Sequence, residues 1–206
     1  MRLLAPLEPV CGCLWKINLP GRIKQAQHAR PVKKRLLTSK DTMASPGKLI
    51  KPHPTSSKTF YQTPSPYERR IGYYRGVRHG NHIFISGTTA VDQTSPPSAP
   101  QILHPGDAAA QMRVALGECL RAVEELSGNK GRAEESVVRV RMYVSRKEDA
   151  PAVMEAYTEM LGSGRAGRGQ EGDQVGAAAT LIVVQNGFVS DDMLVEVEVD
   201  AIVDEQ

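Results

Sequence analysis

The chain has 206 residues, 40% of them hydrophobic and 24% charged, which fits one substantial globular domain with or without tails. No window offers the roughly 20 apolar residues that a membrane-spanning helix needs, so no membrane partner is expected. Residues 1–42 hold nine Lys/Arg against two acids in a chain of net charge +3, which leaves residues 43–206 at about −4 and argues against nucleic acid as a partner.

Residues 1–65 carry recurrent proline, scattered basic residues and no lasting helical or alternating period. They read as a basic extension outside the folded domain, which is expected over residues 66–206. Three origins stay open for the extension: a mitochondrial presequence, a disordered tail, or a start set too early, with Met43 as the true first residue. The compartment is accordingly expected to be cytoplasmic or mitochondrial. Cys11 and Cys13 stand too close for a metal pair, and Cys119 falls on the apolar face of a helical pattern. Neither a metal nor a cofactor is expected.

From Ile71 the pattern becomes regular. "IGYYRGVRHGNHIFISG" holds two strand-like runs around Gly80 and Asn81, and so predicts a hairpin. His79 and His82 flank the turn without a third ligand and read as surface residues. After a loop rich in Pro and Ser, residues 108–127 place Met112, Leu116, Cys119, Leu120, Val123 and Leu126 on one helical face. Asp107 is the expected N-cap of that helix and Gly128 its expected stop.

"SVVRVRMYVS" then alternates, with Val138, Val140, Met142 and Val144 on one side and Arg139, Arg141 and Tyr143 on the other. A second helix is predicted over residues 147–161. A glycine-rich loop carrying Arg165 and Arg168 leads into "GAAATLIVV", whose apolar run reads as a buried strand. "MLVEVEVDAIV" closes the pattern, with Val195, Val197 and Val199 opposed to Glu196, Glu198 and Asp200. The order β-β-α-β-α-β-β predicts an α+β, two-layer sandwich: a mixed five- to six-stranded sheet with two helices on one face. The charged face opposite the helices is either a solvated surface or one covered by another subunit.

The order and spacing of "GYYRGVRHGNHIFISGTTAVD", "AAAQMRVALGECLRAVEELSG", "VVRVRMYVSRKEDAPAVMEAYTEMLG" and "LVEVEVDA" resemble the RidA/YjgF family. The resemblance implies a chorismate-mutase-like fold and a homotrimer whose sheets face inward, with small-molecule clefts between subunits. It also implies hydrolysis of reactive enamines and imines to 2-keto acids and ammonia, without a metal. An arginine would grip the substrate carboxylate, a late glutamate would position or protonate, and water would attack the imine carbon.

Carried over by position, the family's tyrosine, serine and late glutamate fall on Tyr73, Ser86 and Glu196. Each also has a structural reading: packing for Tyr73, a strand end for Ser86, an ion-paired strand face for Glu196. The remaining positions are apolar here. The asparagine of the second helix falls at Met154, the carboxylate-gripping arginine at Ala179 and the cysteine two residues on at Leu181. Arg165, Arg168, Arg139 and Arg141 are the cations available to stand in. Three functions follow: a metabolite-binding relative without the classical deaminase chemistry, a hydrolase with a substitute cation, and, with least support, an endoribonuclease or translation inhibitor.

Overall fold

The computed structural model describes residues 47–129, 131–162 and 176–204. These form strands β1 (Lys48–Ile50), β2 (Lys58–Gln62), β3 (Gly76–His79), β4 (His82–Thr89), β5 (Val137–Val144), β6 (Ala178–Val183) and β7 (Val195–Ile202). The helices are α1 (Pro66–Ile71), α2 (Ala108–Ser127), α3 (Ala133–Ser136) and α4 (Ala150–Leu161). All seven strands join one sheet in the order β1-β2-β3-β4-β7-β5-β6. Neighbours run antiparallel except β5 and β6, which are parallel.

α2 forms where its apolar residues recur every three to four positions, and its ends are set as the sequence predicts. Asp107 accepts a 2.9 Å bond from the Ala110 amide, and Gly128 stops the helix at φ 80°. Met112, Leu116, Cys119 and Val123 are all fully buried against the sheet. Burial of each large apolar side chain contributes about 1.5–3 kcal/mol. α4 packs beside α2 on the same face and buries Val153, Ala156 and Leu161. The covered face of the sheet supplies Ile83, Ile85, Val140, Met142, Val197 and Val199 to this core. The hairpin turn falls at Gly80, as expected, with His79 paired to His82 across it.

Four expectations need correction. The sheet has seven strands rather than five or six, because β1 and β2 lie inside the stretch read as an extension. The folded domain therefore begins before residue 66. The cue was too short to see: in "KTFYQ" only Tyr61 is deeply buried, at 2% exposure. In β5 a register shift between Val137 and Arg139 puts Val137 in the core and leaves Val138 exposed. β6 is not a buried strand but the edge of the sheet, and Ala178, Ala179, Thr180, Ile182 and Val183 are all exposed. Its apolar run has a strand partner on one side only.

A buried carboxamide anchors the start of β7. Gln111 on α2 accepts from the Leu194 amide at 2.8 Å and donates to the Asp192 carbonyl at 2.7 Å. This bridge fixes the point at which β7 enters the sheet, one residue before the first strand position and two before Glu196.

Candidate functional site

The charged face of β7 does not behave as one unit. Arg141 of β5 donates from Nη1 to Glu198 at 3.2 Å and from Nη2 to Asp200 at 2.9 Å. The antiparallel register sets Arg141 directly opposite Glu198, so the pairing follows from the alternation of both strands. Tyr143 adds a 3.4 Å bond from its hydroxyl to Glu198. Glu196 stands apart and makes no hydrogen bond or ion pair among the described residues.

Glu196 owes its position to a break in β4. The β4–β7 register shifts between Ile85 and Thr88, and Ser86 and Gly87 form the bulge. The Glu196 carboxylate lies against the Gly87 backbone, in the space that a Cβ would take. Partial burial, together with the neighbouring Glu198, pushes the Glu196 carboxyl above its ordinary value, while Arg75 pulls it back. A carboxyl held in this way is suited to give or take a proton.

Beneath the bulge runs a buried polar network that the sequence did not disclose. Arg75, 5% exposed, donates from Nε to Glu68 at 3.2 Å. Its Nη1 donates to the Gly87 carbonyl at 3.2 Å and to the Thr88 hydroxyl at 2.6 Å. Glu68, 1% exposed, also accepts from the Thr63 amide at 2.8 Å and the Thr63 hydroxyl at 2.5 Å. The Tyr73 phenol lies against the Arg75 guanidinium and within electrostatic range of Glu196; burial raises it above its ordinary value and Arg75 opposes the rise. Strand alternation would have put Arg75 on the same face as Val77, so no local signal marks it as a buried cation.

Of the three residues predicted as catalytic, Tyr73 and Glu196 therefore converge around Arg75. Ser86 serves the backbone instead: its hydroxyl donates to the Tyr74 carbonyl at 2.8 Å and its amide to the Arg75 carbonyl at 2.9 Å. These bonds tie the segment before β3 to the bulge.

The residues expected along a cleft wall lie elsewhere. Tyr143 of β5 faces both Glu196 of β7 and Ile182 of β6. Ala179 is three residues before Ile182 and two strands from β7, so it sits about 10 Å along and about 10 Å across from Glu196. Leu181 packs its side chain against the core rather than into a cleft, and Met154 is exposed on α4. Arg139 is exposed at the far end of β5, four residues from Tyr143, and forms no ion pair among the described residues. Arg165 and Arg168 lie outside the described residues. Cavities of about 250 Å³ and about 490 Å³ occur against α2 and near the hairpin turn, and neither touches Glu196. Among the described residues no cluster of His, Cys, Asp and Glu could hold a metal ion. No helix there is long and apolar enough to cross a membrane.

Fold and site together define a small α+β protein with helices on one sheet face and, on the other, a carboxylate at a strand bulge that is uncommitted among the described residues. Residues 65–203 match the family model described as Endoribonuclease L-PSP. The chain is 33% identical over 140 residues to an uncharacterized protein of Streptomyces coelicolor, covering 68% of this chain and 88% of that relative. Its structure resembles that of a YjgF/YER057c/UK114 family member from Mycobacterium tuberculosis, with a TM-score of 0.51 and 28% identity over 71% of this chain and 100% of the other. A protein of Rhodopseudomonas palustris described as a probable translation initiation inhibitor shares the fold, with a TM-score of 0.51 and 20% identity over 76% of this chain and 98% of the other. The chain belongs to the RidA/YjgF family.

Proposed function

We propose that this protein binds a small metabolite in clefts between copies of itself and lacks the classical 2-imino-acid deaminase activity of its family. The observation that carries the reading is the cation inventory around Ala179. Among the described residues β6 offers no arginine there, Arg141 is held by Glu198 and Asp200, and Arg75 is held by Glu68, which leaves Arg139, opposite Ala178 on β5, as the cation a substitute would have to come from. Removing the bidentate partner of a buried carboxylate costs about 2–5 kcal/mol, so a ligand without a carboxylate at that point fits better. The about 14 Å between Ala179 and Glu196 within one chain supports a cleft completed by a second copy. Phe84, Ile182 and Ile202 on the uncovered sheet face, exposed by 51%, 44% and 37%, support assembly through that face, as a homotrimer.

The purified chain is expected not to accelerate the decay of 2-iminopropanoate generated by an amino-acid oxidase. A rate above background that disappears in Glu196→Ala overturns the reading in favour of an imine hydrolase with a substitute cation. That second reading draws on the convergence of Tyr73 and Glu196 and on Arg139, exposed beside Ala178. The ribonuclease and translation-inhibitor descriptions of relatives find less support here, since residues 43–206 are net acidic.

A further inference from the structure

A guanidinium as deeply buried as that of Arg75 is costly to hold. An arginine taken out of water needs its charge balanced and its donors met; here Glu68 balances the charge, and Glu68, the Gly87 carbonyl and the Thr88 hydroxyl meet the Nε and Nη1 donors. Of these acceptors, Gly87 lies in the bulge against which Glu196 rests and Thr88 directly follows it. The backbone of Arg75 is pinned to the same bulge through the Ser86 amide. Glu68 is pinned in turn by Thr63, so the guanidinium cannot turn away without breaking several bonds at once.

We propose that Arg75 is the positioning residue of this site: it holds the bulge on which Glu196 rests and sets a fixed positive charge beside Glu196 and the Tyr73 hydroxyl. This rests on reading Glu196 and Tyr73 as the groups that meet the ligand. The charge of Arg75 does not replace the cation absent at Ala179, because its Nε and Nη1 donors are already spent on protein acceptors. Its role is to keep one carboxylate of β7 fit for proton transfer while Arg141 engages the other two.

Among the described residues, the charged and titratable groups facing Glu196 are few. Glu198 lies on its own strand, Tyr143 and the paired Arg141 on β5, Tyr73 and Arg75 on the segment before β3, and Glu68 behind Arg75 on α1. β4 contributes Ser86, Gly87, Thr88 and Thr89, none of them charged.

The test is a titration of the Glu196 carboxyl by carbon NMR on the full chain, assigned with Glu196→Gln. In the double variant Glu68→Gln/Arg75→Gln, which removes both buried charges together, the Glu196 midpoint is expected to rise by about half a pH unit or more. Arg75→Lys is expected to restore most of the difference, and Arg113→Gln, whose partner is Glu159, is expected to change nothing. A merely structural role predicts the opposite sign, because a loosened bulge exposes Glu196 and lowers its midpoint toward the ordinary value. A midpoint that stays put or falls overturns the proposal.

A second measurement needs no change at Arg75. In the parent protein the Arg75 Nε resonance is expected to follow the Glu196 midpoint, and to lose that step in Glu196→Gln. An Nε resonance blind to Glu196 overturns the proposal. Neither measurement uses a ligand, so either can fail while the metabolite-binding reading stands.

Discussion

The Glu196 carboxylate rests on the bare backbone of Gly87, in a space that a single Cβ would fill. A glycine on β4 thus decides how a glutamate on β7 presents its charge. The contact exists because the bulge between Ile85 and Thr88 lets the two strands approach with Ser86 and Gly87 out of register.

Gly87→Ala tests the contact directly. The atom in the way is the far end of a flexible side chain, so Glu196 can swing aside. The variant should lose no more than about 1 kcal/mol in urea denaturation, yet release the carboxyl to solvent. Its midpoint, read by carbon NMR, should fall toward the ordinary carboxylate value.

Glu196→Gln should reveal a cost of ionisation. Burial first, and Glu198 second, raise the folded-state midpoint above the ordinary 4.5, so the folded state binds the proton more tightly than the unfolded one. Stability from this group is then present at low pH and lost as pH rises through the raised midpoint. Thermal melts should show the variant matching the parent near pH 4 and at least equalling it at pH 7. A variant clearly less stable than the parent at pH 7 would contradict the sign.

Glu68→Gln and Arg75→Gln each strand a charge that is almost wholly buried. Each single variant should lose about 3–5 kcal/mol in chemical denaturation. The double variant should lose less than the sum of the two, since no bare charge remains, and a double-mutant cycle measures the coupling. Additive losses would mean that the ion pair carries no special weight.

Phe84→Asp bears on assembly. Phe84 stands on the uncovered sheet face, opposite Asp200 on β7, and is half exposed in a single chain. An aspartate there would face Asp200 and remove an apolar contact. Light scattering should report a trimer for the parent and a smaller species for the variant. A parent that runs as a monomer at micromolar concentration would remove the cleft between copies.

Much of this molecule is written in its periodicities. The valines of β7 fall inside and its acids outside, as strict alternation requires, and Arg141 meets Glu198 because two alternating strands share a register. The helical face of α2, its Asp107 cap and its Gly128 stop, the hairpin turn at Gly80 and the family follow from the same kind of local evidence. Tyr73 and Glu196 enter as candidates only through the resemblance. What periodicity reports, however, is the face an element turns to the core, not which neighbours flank it. "GAAATLIVV" looked buried by its composition, and only the strand order made β6 an edge. Glu196, Glu198 and Asp200 are equivalent in an alternating strand, and only the bulge at Gly87 and the reach of Arg141 separate them. Arg75 is the clearest case: its burial depends on Glu68, Gly87 and Thr88, acceptors 7, 12 and 13 residues away that only the folded chain brings to one guanidinium.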